Sequence, residues 1–137
     1  MLYAPLTTGN LKYLALAKNL QCLDLRCAHV NDQGVKYIAN CANLKDLSIG
    51  GNPQVSDASL KYLLNLKHLT DLNLTQTHVT AEGLKQLQPL KLNRLIISEG
   101  VFTAQDLRAL QQIFKRVDTI KPKSTDATSR HMFAPLH

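Results

Sequence analysis

Residues 69–91, LTDLNLTQTHVTAEGLKQLQPLK, hold the pattern that decides the fold. Leucines stand at positions 69, 72 and 74, and the last two alternate as they do in a short strand with one buried face. Thr80 then precedes a helical pattern in which Leu84 and Leu87 lie on one side, and its hydroxyl can accept hydrogen bonds from the free amides of a first helical turn. The segment therefore predicts one strand followed by one helix.

Three neighbouring segments repeat this pattern, beginning at Leu20, Leu44 and Leu92, so that the four starts are 24, 25 and 23 residues apart. A partial unit precedes them from Leu6, and a degenerate strand follows from Phe114. One unit alone cannot bury its apolar stripe, so the copies are expected to stack around a shared core. The residues predicted to cap the successive helices are Thr7, Asn31, Ser56, Thr80 and Thr103.

The repeated L-x-x-L-x-L strand pattern and the V-[NST]-x-x-G-[LV]-K-x-[LI] helix pattern resemble the leucine-rich-repeat family over roughly residues 6–120. The helix pattern is similar to the ribonuclease-inhibitor-like and cysteine-containing branches of that family. This resemblance implies an α/β solenoid, a short horseshoe with parallel strands on the concave face, helices on the convex face and a protein-binding role. The chain is also similar in style to small leucine-rich effectors of intracellular bacteria. At the buried turn position, often Asn or Cys in the family, Asn52 fits the pattern and Ala28, Thr77 and Gly100 depart from it.

The repeats predict one domain over residues 1–120 and a flexible tail over residues 121–137, which is polar and has no periodicity. The tail's Met132, Phe133 and Leu136 either form a docking motif or pack back on the last repeat. Neither end of the stack shows a recognisable cap, so self-association through open apolar layers is a further expectation.

The net charge of +6 and pI of about 9.4 are compatible with an anionic partner, but the lysines form no continuous block in the sequence. No secretory signal and no window of about 20 apolar residues is present. Three cysteines without a CxxC pair fit a reducing compartment. These features predict a cytoplasmic protein, or one delivered into a host cytosol without a classical signal peptide.

The outward positions of the strands are expected to form columns about 5 Å apart on the concave face. Asp46 and Asp71 would be like charges on neighbouring strands, which costs a little stability and suggests a partner that supplies Lys or Arg, unless both carboxylates are simply solvated. The hypothesis is a non-catalytic interaction module, an inhibitor or an adaptor, that binds a folded protein through this face. The predicted partner-binding residues are Cys22, Asp24, Arg26, Asp46, Ser48, Asp71, Asn73, Arg94, Ile96 and Arg116.

An alternative interface lies on the predicted convex face, where one basic residue recurs in each helix, with tyrosines beside three of them. Such a row could grip a phosphate backbone or another anionic surface, and the tyrosines could stack on bases. Duplication of the repeats, which copies solvated surface residues too, explains the same regularity. The row consists of Lys12, Lys36, Lys61, Lys85 and Arg108, and the tyrosines are Tyr13, Tyr37 and Tyr62.

Neither catalysis nor a metal or cofactor is indicated by the residues. His29 and His78 occupy equivalent turns, but a whole repeat, about 10 Å, separates them, which is too far for one ion. Cys22 is expected to face outward, yet no His occupies an outward strand position to activate its thiol.

Overall fold

The computed structural model describes residues 11–121, apart from the side chain of Ala15. The start of the partial first unit, including Thr7, and the tail from residue 122 onward lie outside the described residues. The domain boundaries expected at 1–120 and 121–137 therefore stay predictions.

Five parallel strands form one sheet whose spatial order follows the chain, and each is reached from the previous one through a helix. The alternation of strand and helix confirms the α/β solenoid that the repeats predicted. The strands are β1 (Cys22–Asp24), β2 (Asp46–Ser48), β3 (Asp71–Asn73), β4 (Arg94–Ser98) and β5 (Val117–Ile120). The helices are α1 (Asp32–Ile38), α2 (Asp57–Leu63), α3 (Ala81–Lys85) and α4 (Ala104–Ile113), with 3-10 turns at Lys12–Leu16 and Gln88–Leu90.

The strands pair in step, so that equivalent residues of successive repeats lie beside one another. Leu23 pairs with Leu47, Leu47 with Leu72, and Leu72 with Leu95. All four are at most 2% exposed, and the helices contribute matching buried residues from their inner sides. The core is thus a continuous stack of aliphatic layers between the sheet and the helices.

Cys41 lies in this core and is fully buried. Its thiol donates to the Leu14 carbonyl at 3.3 Å, and burial raises the pKa of the thiol. Cys41 is therefore a packing residue, in keeping with the apolar residues Leu66 and Ile113 at the equivalent positions of later repeats.

Each of the four helices is capped at its N-terminus by the side chain that the sequence predicted: Asn31, Ser56, Thr80 and Thr103. Two acidic residues also reach forward to the next repeat. Asp32 accepts hydrogen bonds from the Ser56 amide at 2.8 Å and hydroxyl at 2.6 Å. Asp57 accepts in the same way from the Thr80 amide and hydroxyl, at 2.8 and 2.5 Å. The caps of repeats one, two and three are thereby linked.

Asn52 provides a second connection between repeats, at the buried turn position. Its Oδ1 accepts from the amides of Ala28 and Val30 at 3.1 and 2.9 Å, and its Nδ2 donates to the carbonyls of Leu25 and Ile49 at 3.0 and 2.7 Å. At the equivalent position Thr77 bonds only within its own repeat, to the Leu74 carbonyl.

Candidate functional site

The outward residues of β1 to β4 line one shallow depression on the concave face, with a volume of about 240 Å³. Nine of the ten residues predicted as the partner-binding surface line it, and the tenth, Arg116, precedes the adjacent strand β5. The pairing register explains this arrangement, because Cys22, Asp46, Asp71 and Arg94 are direct neighbours across four strands. The face is therefore a preformed polar surface carried by a rigid sheet.

Asp24 and Arg26 form an ion pair at one end of the depression. The Arg26 guanidinium donates from Nε to Oδ1 at 2.9 Å and from Nη2 to Oδ2 at 2.7 Å. These hydrogen bonds lower the pKa of Asp24, and its carboxylate also accepts from the Arg26 amide. The two opposite charges largely cancel at this end.

Arg94 and Arg116 share Asp118 at the other end of the face. Arg94 Nε lies 2.6 Å from one carboxylate oxygen and Arg116 Nε lies 3.0 Å from the other. Both arginines lower the pKa of Asp118 through these hydrogen bonds. The sequence indicated a basic end to this column, and the structure shows that one carboxylate from the neighbouring column partly neutralises it. Asp118 was not among the predicted site residues, although the register placed it in line with Ile96.

Asp46 and Asp71 lie between these two paired groups, on directly paired residues of β2 and β3. Within residues 11–121, no ion pair or hydrogen bond engages either carboxylate. Partial burial raises the pKa of Asp46, repulsion from Asp71 adds to the rise, and Arg94 opposes it. The centre of the concave face thus carries negative charge that the described chain does not compensate.

The remaining predicted residues give the depression its shape. Asn73 Oδ1 is used internally, since it accepts from the amide and the hydroxyl of Thr75, both at 2.9 Å. Ile96 is half-buried, and Ser48 Oγ is buried without a hydrogen-bond partner. Cys22 is an exposed free cysteine.

The alternation along the strands predicts a third outward column of Arg26, Gly50, Thr75 and Ser98, and this was wrong for two of its members. Gly50 is buried, and Ser98 is 5% exposed. Its hydroxyl accepts from the Gln76 amide at 2.7 Å, because the turn after β3 folds over it.

The basic convex row is present on the helices, but its members differ. Lys12, Lys36, Lys61 and Arg108 are exposed. Lys85 is partly exposed and donates to Glu82 at 2.8 Å, a contact that raises the pKa of Lys85.

The tyrosines beside the row were expected to face away from the core, and this was wrong for two of them. Tyr37 and Tyr62 are partly buried and pack against the core. Tyr13 is 60% exposed, and the Lys12 ammonium lies 5.2 Å from its ring centre. Few rings on this face are thus free to stack on bases.

The structure offers no metal site in the part of the chain that it describes, where no group of three or more His, Cys, Asp or Glu is placed to hold an ion. His78, one of the two histidines that occupy equivalent turns, donates a hydrogen bond from its Nδ1 to the Pro53 carbonyl. Over the same residues, none of the helices has the length and apolar character needed to cross a bilayer.

Comparisons with known proteins agree with the parallel-stranded solenoid. Residues 16–39 and 65–87 match the family model described as Leucine Rich repeat. None of the curated proteins matches the chain. Among solved structures, the chain is similar to a tropomodulin C-terminal domain from Caenorhabditis elegans, with 14% identity and a TM-score of 0.62 over 95% of this chain and 90% of that chain.

The fold is accordingly an α/β leucine-rich-repeat solenoid, a class of domain that generally mediates protein–protein interaction. At 14% identity the structural likeness concerns the fold. The narrower resemblances to the ribonuclease-inhibitor-like and cysteine-containing branches and to bacterial effectors stay predictions.

Proposed function

We propose that this chain is a non-catalytic module that holds a folded protein partner on its concave face. The proposal rests on two neighbouring carboxylates at the centre of the depression, Asp46 and Asp71, which form no ion pair within residues 11–121. Every other charged residue lining the depression is in an ion pair. A surface that keeps two adjacent like charges uncompensated gains stability when a partner brings a cation between them.

The partner chemistry follows from this charge distribution. A Lys or Arg side chain seated over Asp46 and Asp71 would relieve their repulsion and meet no competing cation except Arg94, which Asp118 already engages. The apolar Ile96 lines the same depression and offers contact area for the stem of such a side chain. Because the sheet is preformed, little conformational entropy is lost on binding.

A module of this kind acts either as an inhibitor, by covering the active site of an enzyme, or as an adaptor between proteins. An effector-type regulator of another protein, acting in the cytoplasm or in a host cytosol, is one form of this proposal. The similarity of the sequence to small leucine-rich effectors of intracellular bacteria supports that form. In every form, the same residues of the concave face would bind the partner.

Affinity capture with matched baits tests the proposal. Asp46→Asn/Asp71→Asn removes both charges and keeps the side-chain shape, and Glu99→Lys makes the same change in net charge at an exposed position away from the concave face. A captured protein is identified by mass spectrometry, purified and titrated calorimetrically against each variant. The proposal expects wild type and Glu99→Lys to bind equally and the double variant to bind at least about 10-fold more weakly.

A third bait, Lys36→Glu/Lys61→Glu/Lys85→Glu, tests the convex alternative. Loss of capture with this variant alone, together with removal of the captured material by nuclease or salt, would move the site to the convex row. Equal affinity of wild type and the Asp46/Asp71 double variant for the purified partner would refute the concave proposal.

A further inference from the structure

The five connections that lead from a helix or 3-10 turn into a strand lie at one edge of the sheet, because all five strands are parallel. They comprise residues 17–21, 39–45, 64–70, 86–93 and 114–116. Each contains one lysine, and none contains Asp or Glu. We call the row of these lysines the basic edge: Lys18, Lys45, Lys67, Lys91 and Lys115.

All five lysines of the basic edge are exposed, and within residues 11–121 none of them forms an ion pair. Adjacent strands are about 4.8 Å apart, so the row extends over about 20 Å. Five unpaired ammonium groups at this spacing produce a positive potential that one lysine would not.

The opposite edge carries the opposite sign. The strand-to-helix connections and first helical turns of the described chain hold five acidic residues, against two basic residues at this edge: Arg26, which pairs with Asp24, and Lys121, which follows β5. The helix dipoles favour this separation, since their N-termini point to the acidic edge and their C-termini to the basic edge. The acidic residues are Asp32, Asp57, Glu82, Glu99 and Asp106. The net charge of +6 therefore understates how basic one edge is.

The charges nearest the basic edge do not cancel it. The first outward row of the sheet contains Asp46, Asp71 and Arg94, and Arg116, which ends the last connection, continues it. Two carboxylates and two guanidinium groups sum to zero, so the five lysines determine the sign of the edge.

An exposed apolar side chain lies at the same edge. Leu16 ends the first 3-10 turn, two residues before Lys18, and is 82% exposed. Tyr13, on the same turn, is 60% exposed. A leucine and a tyrosine beside a row of lysines is the combination that binds a bilayer interface, where charge attracts and an apolar group enters the headgroup layer.

We propose that the basic edge docks this protein on an anionic lipid bilayer, with Leu16 entering the interfacial layer next to Lys18. A nucleic acid is favoured less, because single strands stack successive bases on a series of aromatic rings, whereas the described part of this edge has one exposed tyrosine, Tyr13, and one exposed histidine, His68, and Phe114 is 2% exposed. Docking by an edge stands the sheet upright on the membrane and leaves the concave face open. The inference is therefore independent of the proposed protein partner.

Co-sedimentation of the full chain with vesicles tests the proposal. Vesicles of phosphatidylcholine with about 30% phosphatidylserine are compared with pure phosphatidylcholine, at NaCl concentrations of about 50 and 300 mM. The edge variant is Lys45→Glu/Lys67→Glu/Lys91→Glu. The matched control, Lys36→Glu/Lys61→Glu/Arg108→Glu, makes the same change in net charge on the convex face, away from the turn that carries Leu16. All six residues are exposed, and far-UV circular dichroism verifies that both variants are folded.

Wild type is expected to bind the anionic vesicles only and to dissociate as salt rises. Each lysine near an anionic surface strengthens partitioning about 5-fold, so the edge variant should partition at least about 100-fold more weakly, and the convex control less than about 10-fold more weakly. Leu16→Ser should reduce the binding that remains at high salt and leave the salt dependence unchanged.

Three results would overturn the proposal. The first is the absence of wild-type binding to anionic vesicles. The second is an equal loss in the edge variant and the convex control, which would reduce the effect to net charge. The third is binding of a single-stranded RNA, with no vesicle binding, that depends on Lys45, Lys67 and Lys91; that result would assign the edge to nucleic acid.

Discussion

Asn52 joins the turns of the first two repeats, and Asn52→Ala is expected to be the most costly single polar substitution in the solenoid. The side chain is fully buried, and its amide bonds two amides of the preceding turn and carbonyls of both turns. Each of these hydrogen bonds contributes about 1 kcal/mol net, and each partner left buried and unbonded costs about 1–3 kcal/mol. A loss of about 3–5 kcal/mol follows, with the lower figure applying if water enters the space.

Urea unfolding followed by far-UV circular dichroism measures this loss, since a solenoid of this size is expected to unfold with a total stability of about 5–15 kcal/mol. Asn65→Ala is the matched control, because Asn65 is exposed and its side chain forms no hydrogen bond among the described residues; it should cost less than about 0.5 kcal/mol. Hydrogen exchange locates the effect: the amides of Ala28 and Val30 should lose protection before those of β3 do. A cost for Asn52→Ala below about 1 kcal/mol, or equal to that of the control, would show that the turn does not depend on this side chain.

Three further results are expected from the charged residues. Asp57→Ala removes the carboxylate that binds the cap of the next helix and should lower the free energy of unfolding by about 1–2 kcal/mol in urea titrations; a change below about 0.3 kcal/mol would exclude that connection. Because the folded-state pKa of Asp46 is raised, folding disfavours its ionised form, so Asp46→Asn should raise stability above that pKa and leave it unchanged in acid. The gain should be smaller in an Asp71→Asn background, which removes the repulsion, but should not vanish, because partial burial, the larger cause of the raised pKa, remains. The lowered pKa of Asp24 has the opposite effect on stability. The stabilisation from its ion pair with Arg26 is present above the unfolded-state pKa and is lost as pH falls through the folded-state pKa. An Asp24→Asn variant titrated over the same acidic range should therefore lose less free energy of unfolding than wild type.

The fold and much of the concave face could be predicted because both follow from the repeat. Leu23, Leu47, Leu72 and Leu95 align in the sequence, and in-register pairing puts them in one layer, so the residues one position before them must form one outward column. Ser98 was misplaced because β4 continues beyond the three residues typical of its neighbours and a turn folds over its end. Tyr37 and Tyr62 were misplaced because the position of a residue around a helix gives the direction of its side chain but not how deeply the side chain is buried. A tyrosine side chain is long enough to pack against the core from the flank of the helix.

Contacts between columns could not be predicted, because side-chain reach and not the repeat decides them. Arg94 and Asp118 lie in different columns of strands that pair in sequence order, and only the extended guanidinium joins them. The forward hydrogen bonds of Asp32 and Asp57 could not be predicted either, since nothing in one repeat shows how far the cap of the next repeat lies from these carboxylates.

The lysines show how a repeat changes the meaning of a charge pattern. Lys18, Lys45, Lys67, Lys91 and Lys115 are far apart along the chain, and the sequence was therefore interpreted as having no basic block. Their spacing is close to the repeat length, however, and a solenoid brings residues one repeat apart to adjacent strands, about 4.8 Å from each other in the backbone. In such a chain a charged patch has to be sought along the repeat period, and a residue type that recurs once per repeat in one connection is the signal of a charged edge. The same reasoning separates the two surfaces of this molecule, because the concave acidic pair occupies strand positions and the basic edge occupies connections, so one set can be changed without touching the other.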